Sequence, residues 1–266
     1  MGLITNIRTG AKLKNIYLVL EVIRRVINWP LYFMDFFSLT ARKFITYRLC
    51  NGLNVLVRAK TCDRGVMTAI CLADEYEINK ITLPADSVII DIGANIGTFT
   101  LHASHKAGKI FSFEPVLANF KILKENIRIN NLGNKVMCFN LAVSGKREKL
   151  NIYLSLDNPG QHSSYGSGSH EECPAIMLKD IFDNNIIDQC ALLKIDTEGA
   201  EYDILYNLPD DYFYRIQLIR LEFHDMEKIG SSDFDGKHNH KALKAFLIKR
   251  GYSVTQKLEC FFAERN

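Results

Sequence analysis

The sequence predicts an α/β fold: a doubly wound parallel sheet preceded by an N-terminal α+β extension. Three observations point there. From Ser87 onward, short apolar runs alternate with helical stretches. The first run, Val88-Ile89-Ile90, is continuous rather than alternating, as in a strand covered on both faces. It ends in Asp91-Ile92-Gly93-Ala94-Asn95-Ile96-Gly97, a tight glycine loop that opens a helix. A chain of 266 residues is long enough for one such domain plus an extension.

Residues 15–39 are apolar but carry Glu21, Arg24, Arg25 and Asp35. That charge load argues against a spanning helix or a signal peptide. Glu21, Arg24, Arg25 and Asn28 recur at helical spacing and set one polar stripe against a broad apolar surface. The reading is a helix packing on its own domain or on a second subunit. A helix lying peripherally on a membrane surface is the alternative. Pro30 is expected to end this helix. Phe44–Leu49 and Leu53–Lys60 read as strands joined at Asn51-Gly52, a hairpin-turn signal. Asp63 is expected to cap a helix over Val66–Leu72. The extension then covers 1–84, Pro84-Ala85-Asp86 marks the boundary, and the main domain covers 85–266.

After the glycine loop come a helix over Thr98–Ser104 and a strand over Lys109–Phe113. A helix over Ala118–Asn130 follows, with Phe120, Leu123, Ile127 and Asn131 near a 3.6-residue period. The third strand is Val136–Ala142, and Leu150–Ser155 is an added hairpin arm. Asn158–Glu172 reads as a polar loop carrying His162, Ser163 and Ser164, either a substrate lid or an ordinary solvated loop. A short helix over Leu178–Phe182 precedes the fourth strand, Ala191–Asp196. Helix Glu201–Tyr206, fifth strand Ile216–His224, helix 240–250 and strand 252–263 complete the chain. His238 and His240 read as surface residues, and Glu201 as a cap or partner within its own helix.

Hydrophobic residues make up 47% and charged residues 24%, so a packed core is expected. The net charge of +3 comes from scattered residues, not the basic stripe of a nucleic-acid binder. The seven cysteines are odd in number and show no Cys-x-x-Cys spacing. Neither a zinc site nor a disulfide framework is signalled, which fits a reducing cytoplasm.

In doubly wound sheets, ligands bind at the carboxyl ends of the strands, near the point where strand order reverses. Gly93 supplies an unusual φ and lets a ligand approach the backbone, and Gly97 lets the next helix pack closely. The helix that begins at Thr98 offers free N–H groups to a carboxylate, and Asp91 offers a partner for an ammonium group. Glu114 ends the second strand, where an acid takes ribose hydroxyls. Asn140 and Ala142 end the third strand and are expected to flank an adenine. A dinucleotide fingerprint would have three glycines, but Asn95 replaces the middle one. That deficit suits S-adenosylmethionine, which has no phosphate.

IIDIGANIGTFTL, FSFEP, ENIRINN, NLAVS and LLKIDTEGAEYDIL occur in order over residues 88–205. Together they resemble the FkbM-type methyltransferase family. The resemblance covers about 180 residues, and LKIDTEGAE is its most specific part. Asp63 and Glu75-Tyr76 also resemble that family's opening segment. The resemblance implies a class I methyltransferase (Rossmann-like) fold and O-methylation of a sugar or related natural-product hydroxyl.

Methyl transfer from a sulfonium centre needs a nucleophile held in line, and a sugar hydroxyl also needs a general base. Lys194 and Asp196 share a face at the end of the fourth strand, and Glu222 and His224 do so on the fifth. Asp196 and His224 are the candidate bases, and Glu198 is the candidate for orienting the acceptor. A divalent metal held by Asp196, Glu222 and His224 is an alternative use of the same groups and is not favoured. A structural use would pair Lys194 with Glu222 or Glu114. No Asn-Pro-Pro-aromatic run follows the fourth strand, which argues against a nucleic-acid base as target. The sequence reads as an S-adenosylmethionine-dependent O-methyltransferase of a glycan or small-molecule hydroxyl. The rivals are a small-molecule or protein methyltransferase of the same fold, and a catalytically silent module that docks a partner through residues 15–39.

Overall fold

The structure is a computed structural model that describes residues 18–153, 169–225 and 237–266. The chain divides into two compact units, Met1–Glu75 and Tyr76–Asn266.

The first unit opens with α1 at residues 18–25 and α2 (Trp29–Phe36). Pro30 does not end a helix. It sits in the first turn of α2, where its missing N–H has no intrahelical partner to lose. β1 (Phe44–Arg48) and β2 (Asn54–Arg58) form an antiparallel hairpin, paired from Phe44↔Arg58 to Arg48↔Asn54. Gly52 turns it with a φ of 91°. Period-two alternation buries Ile45 and Tyr47 on one strand and Val55 and Val57 on the other. α3 (Asp63–Met67) follows and widens into a π turn at Thr68–Leu72. Asp63 is not its cap. The Asp63 carboxylate accepts from Arg58 Nε and Nη2, both at 2.8 Å, and from the Arg58 backbone N–H. A bidentate guanidinium outcompetes a capping amide for those oxygens.

In the second unit β3 (Val88–Ile92), α4 (Thr98–Ala103), β4 (Lys109–Phe113), α5 (Leu117–Ile129) and β5 (Val136–Phe139) run in sequence. β6 (Ala142–Ser144), β7 (Glu148–Tyr153) and β8 (His170–Met177) form a separate three-stranded sheet. Then come α6 (Leu178–Asn185), β9 (Cys190–Ile195), α7 (Glu201–Tyr206), α8 (Asp210–Phe213), β10 (Ile216–Glu222), α9 (His240–Lys249), β11 (Tyr252–Lys257) and β12 (Cys260–Arg265). The seven-stranded sheet has the order β11-β12-β10-β9-β3-β4-β5. β12 runs antiparallel to both neighbours, while β10, β9, β3, β4 and β5 pair in parallel. The order reverses at β3, with β4 on one side and β9 on the other, so the switch point falls on the glycine loop. Ile90, Ile92, Leu193, Ile195, Ile219 and Leu221 are buried in one core, as strands covered on both faces require.

Four expectations are corrected. The third strand is broken, because the Asn140 amide donates to the carbonyls of Glu114 and Pro115 at 2.9 and 2.8 Å, and β6 departs to the small sheet. His170–Glu172 are not loop but strand, paired with Tyr153 back to Asn151. His162, Ser163 and Ser164 lie outside the described residues. The closing strand is a hairpin that turns around Leu258, whose φ is 53°. The inner face of α5 is Asn119, Ile122, Leu123, Asn126 and Ile127, because the Asn126 amide donates to Ile96 O at 2.8 Å. Among the described residues, no helix is long and apolar enough to cross a membrane. The seven cysteines are free thiols.

Candidate functional site

The glycine loop is fixed from three sides. A β-carbon on Gly93, whose φ is 75°, would lie 1.8 Å from the Asp196 carbonyl oxygen, so only glycine lets the loop cross the end of β9. The Gly93 and Ala94 amides both donate to Phe113 O, at 3.0 and 2.9 Å. A β-carbon on Gly97 would meet Leu123 Cδ1 at 2.5 Å, so the close helix packing expected of Gly97 is present.

Asp91 is fully buried beneath this loop. Its carboxylate accepts from Thr100 Oγ1 at 2.6 Å and faces Lys194 Nζ at 3.3 Å. The sequence expects Asp91 to meet an ammonium group directly or through water; in the structure its carboxylate also forms an internal ion pair, and Oδ1 accepts no hydrogen bond. Lys194 Nζ also donates to Gly93 O at 2.7 Å and lies 3.7 Å from Asp196 Oδ2. Burial alone would push the Lys194 ammonium down, but Asp91 and Asp196 outweigh it and hold the amine above its ordinary value. A permanently charged amine cannot act as a base. Lys194 anchors the loop, and its sequence-level pairing with Glu222 or Glu114 is not the arrangement found.

Above the loop lies an open cleft of about 680 Å³, counting its mouth. Gly93, Asn95, Glu114, Val116, Leu141 and Ala142 line it, as do Asp196, Thr197 and Glu198. Glu114 Oε2 accepts from the Asn95 amide at 2.8 Å, and Oε1 accepts from the Val116 amide at 2.9 Å. Burial pushes the Glu114 carboxyl up to about 7 despite those bonds. Oε1 also accepts from Asn119 Nδ2 at 3.5 Å, so Oε2 is the oxygen that retains lone-pair capacity for a hydroxyl donor. Asn95 Oδ1 is buried without a hydrogen-bond partner in the protein. Asn140 clamps backbone and is not part of the wall. Ala142 is, next to Leu141. Thr98 opens α4 and is itself buried.

At the other end of the cleft, β9 stops at Ile195 and β10 at Glu222, so Asp196 and His224 both lie just beyond their strands. Tyr76 Oη donates to Asp196 Oδ2 at 3.3 Å. The His224 amide donates to Glu201 Oε1 at 2.6 Å, and its ring Nδ1 lies 3.2 Å from the same oxygen. The other ring nitrogen, Nε2, lies 3.4 Å from Glu198 and 3.9 Å from Glu222. Burial opposes charge on the ring, but the Glu201 hydrogen bond and three carboxylates prevail and raise His224 to about 10. His224 is thus an imidazolium at neutral pH rather than the base expected from the sequence. Burial pushes the Glu198 carboxyl up to about 7 against the pull of His224. Asp196, Glu198 and His224 each offer one ligand atom within 4.8 Å of the others, so Glu198 stands where the sequence expected Glu222 in a metal set.

Two site residues were missed. Glu201 is fully buried and also accepts from Thr197 Oγ1 and the Gly199 amide, so it shapes the loop after β9. The signal was its place just past LKIDTEG, where it read as a helix cap. Tyr76 is 120 residues from Asp196 in sequence, and only the family resemblance pointed to it. His238 and His240 are not bare surface. They meet Asp203 at 3.2 Å and Asp225 at 2.8 Å, and His240 stacks on Phe223.

Residues 91–254 match the model of the Methyltransferase FkbM domain. "Methyltransferase 1" of Beauveria bassiana is 24% identical over 195 residues, covering 64% of this chain and 74% of that protein. "31-O-demethyl-FK506 methyltransferase FkbM" of Streptomyces tacrolimicus is 26% identical over 219 residues, covering 68% of this chain and 82% of that one. "AMB antimetabolite synthetase AmbE" of Pseudomonas aeruginosa is 27% identical over 231 residues, and the chain spans 10% of its length. Among solved structures, methyltransferase FkbM from Methylobacillus flagellatus aligns with a TM-score of 0.45 and 13% identity, covering 76% of this chain and 53% of that one.

The charge on His224 has a pH signature. Its folded value of about 10 lies above the ordinary 6.5, so its stabilisation is complete below 6.5 and is lost as pH rises through 10. Urea unfolding of wild type should lose free energy between pH 7 and 10 more steeply than the His224→Gln variant. Parallel curves would refute a charged His224.

Proposed function

The chain belongs to the FkbM methyltransferase family, and from that premise we propose that it is an S-adenosylmethionine-dependent O-methyltransferase of a sugar, glycan or related natural-product hydroxyl. One observation carries the reading: Asp196 and Glu198 open onto the same cleft as Asn95 and Glu114. A nucleoside-binding wall and a proton-accepting wall then face one bound pair of substrates. The relative named for 31-O-demethyl-FK506 supports an oxygen acceptor.

The residues present fit the cofactor. Asn95 Oδ1 is a buried acceptor suited to an ammonium donor, and Gly93 lets a ligand approach the backbone. Glu114 is placed for ribose hydroxyls, and Leu141 and Ala142 give an apolar wall for a base. When bound, S-adenosylmethionine supplies an electrophilic methyl group for displacement by the acceptor oxygen.

The protein's part is positioning and proton removal. Asp196 already accepts from Tyr76 and lies beside Lys194, so its charge is committed, and it serves to orient the acceptor hydroxyl. Glu198, held at about 7 by burial, suits a general base at neutral pH. The roles expected of Asp196 and Glu198 are thus exchanged. The His224 imidazolium, fixed by Glu201, holds Glu198 at the cleft and offsets the negative charge gathered there.

Calorimetry with S-adenosylhomocysteine tests the nucleoside wall. Hydroxyl donors favour the ionised carboxylate, so affinity should rise as pH passes upward through about 7. The Glu114→Gln variant should bind more weakly and lose that pH dependence. A wild-type affinity flat from pH 6 to 8 would count against Glu114 as the ribose partner.

Turnover with labelled S-adenosylmethionine and hydroxyl acceptors tests the base. Glu198→Gln should lower kcat by about 10²–10⁴ with S-adenosylhomocysteine affinity unchanged. Full turnover in that variant would remove Glu198 from the chemistry, and failure of every hydroxyl acceptor would sink the O-methyltransferase reading.

A further inference from the structure

The helix α2 is inside out. Its buried residues are Tyr32 and Asp35, while Trp29, Met34 and Phe36 are exposed, with Phe37 just beyond at 63%. Asp35 is turned inward because its carboxylate accepts from Tyr47 Oη, the Lys60 amide and Arg64 Nη1 at 2.9, 2.6 and 2.9 Å. A helix that buries its acid while exposing Trp29, Met34 and Phe36 departs from the usual soluble pattern. α1 adds Leu20 and Ile23, with Ile27 following at the same helical spacing, all exposed. Ten of the sixteen exposed large hydrophobic residues among the described residues lie between Val19 and Phe44. Such clustering marks an interaction surface rather than scattered surface apolarity.

Charge identifies the partner. Residues 1–60 carry ten lysines and arginines against two acids, Glu21 and Asp35, so the basic residues are less evenly scattered than the whole-chain charge of +3 suggests. Arg58 is paired with Asp63, whereas Arg42, Lys43 and Arg48 are exposed. Asp35 is buried, and Glu21 is paired with Arg24 and Arg25 at 3.5 and 3.7 Å. Arg42 and Lys43 are exposed directly beside exposed Phe44. A two-fold contact with a second copy would set this basic face against itself. An anionic partner with an apolar interior answers both features at once.

We infer that the α1–α2 face is a docking surface for an anionic lipid bilayer, with the exposed aromatic and aliphatic side chains seated in the headgroup region and the flanking Arg and Lys on lipid phosphates. Aromatic rings, tryptophan above all, favour that depth, and basic side chains gain from the negative surface potential.

Trp29 is the only tryptophan in the chain, so its emission reports this face directly. The full chain is mixed with phosphatidylcholine–phosphatidylglycerol vesicles and with phosphatidylcholine vesicles alone. Co-sedimentation with the anionic vesicles, accompanied by a blue shift of Trp29 emission and weakened by salt, is the expected result. Arg42→Gln/Lys43→Gln should raise the lipid concentration for half-binding about thirtyfold, the equivalent of about 1 kcal/mol for each of the two lost basic residues. Phe36→Ser/Phe37→Ser, with unchanged far-ultraviolet circular dichroism, should abolish the shift. Absence of wild-type sedimentation, sedimentation without a change in Trp29 emission, or a lipid-free dimer already blue-shifted and indifferent to vesicles would each overturn the inference. None of these readouts requires methyl transfer, so a failed acceptor search leaves the test standing.

Discussion

The Lys194 ammonium lies within the parallel sheet, between the ends of β3 and β9, where an isolated charge would be costly. Asp91 at 3.3 Å and the Gly93 carbonyl at 2.7 Å hold it there, and the rings of Tyr76 and Phe99 each lie 5.9 Å from it. Asp91 is thereby spent inside the protein, and the Gly93 carbonyl is pinned downward. Because Gly93 has no side chain, the Asp196 carbonyl can close against the loop. The wall that carries Asn95 and Glu114 and the wall that carries Asp196 and Glu198 thus share one anchor. A buried pair of this kind adds little net stability, but losing one partner costs about 3–5 kcal/mol through the charge left behind.

A second charged arrangement shapes the acceptor end. Glu201, wholly buried, fixes both the His224 backbone and its Nδ1, leaving Nε2 toward Glu198. Glu198 has a φ of 52° and is followed by Gly199 at 115°. Backbone in the left-handed region costs a non-glycine residue free energy, and such positions concentrate at functional sites. Here the strained residue is the one that turns a carboxylate back toward the cleft. The imidazolium permits several carboxylates to gather at one point without mutual expulsion.

Much of this was legible in the sequence because it was local. The continuous apolar run of β3, the glycine pair at 93 and 97 and the acid at 114 each follow from a strand end feeding a helix, and all three line or support the cleft. Strands were mistaken where pairing is decided by distant residues. Asn140 breaks a strand because it meets Glu114 and Pro115, and His170–Glu172 become strand because Asn151–Tyr153 lie beside them. Roles were misassigned where protonation is set by neighbours out of sequence reach. His224 reads as a base until Glu201 appears behind it, and the pairing of Asp91 with Lys194 joins residues far apart in sequence. The sequence shows a broad apolar surface over residues 15–39 but not which way it faces, since only the Tyr47, Lys60 and Arg64 contacts reveal that Asp35 points inward.

The account turns on the buried pair as the anchor of both walls. The Asp91→Asn/Lys194→Met double variant removes both fully buried charges together, and the carboxylate that loses Lys194, Asp196, is part-exposed and keeps its Tyr76 hydrogen bond. Calorimetric titration of this variant with S-adenosylhomocysteine, alongside its near-ultraviolet circular dichroism, isolates the anchoring effect. A folded protein whose affinity falls by a factor of about ten or more, the loss of at least about 1.4 kcal/mol, is the expected result. A folded double variant that binds as tightly as wild type would contradict the account.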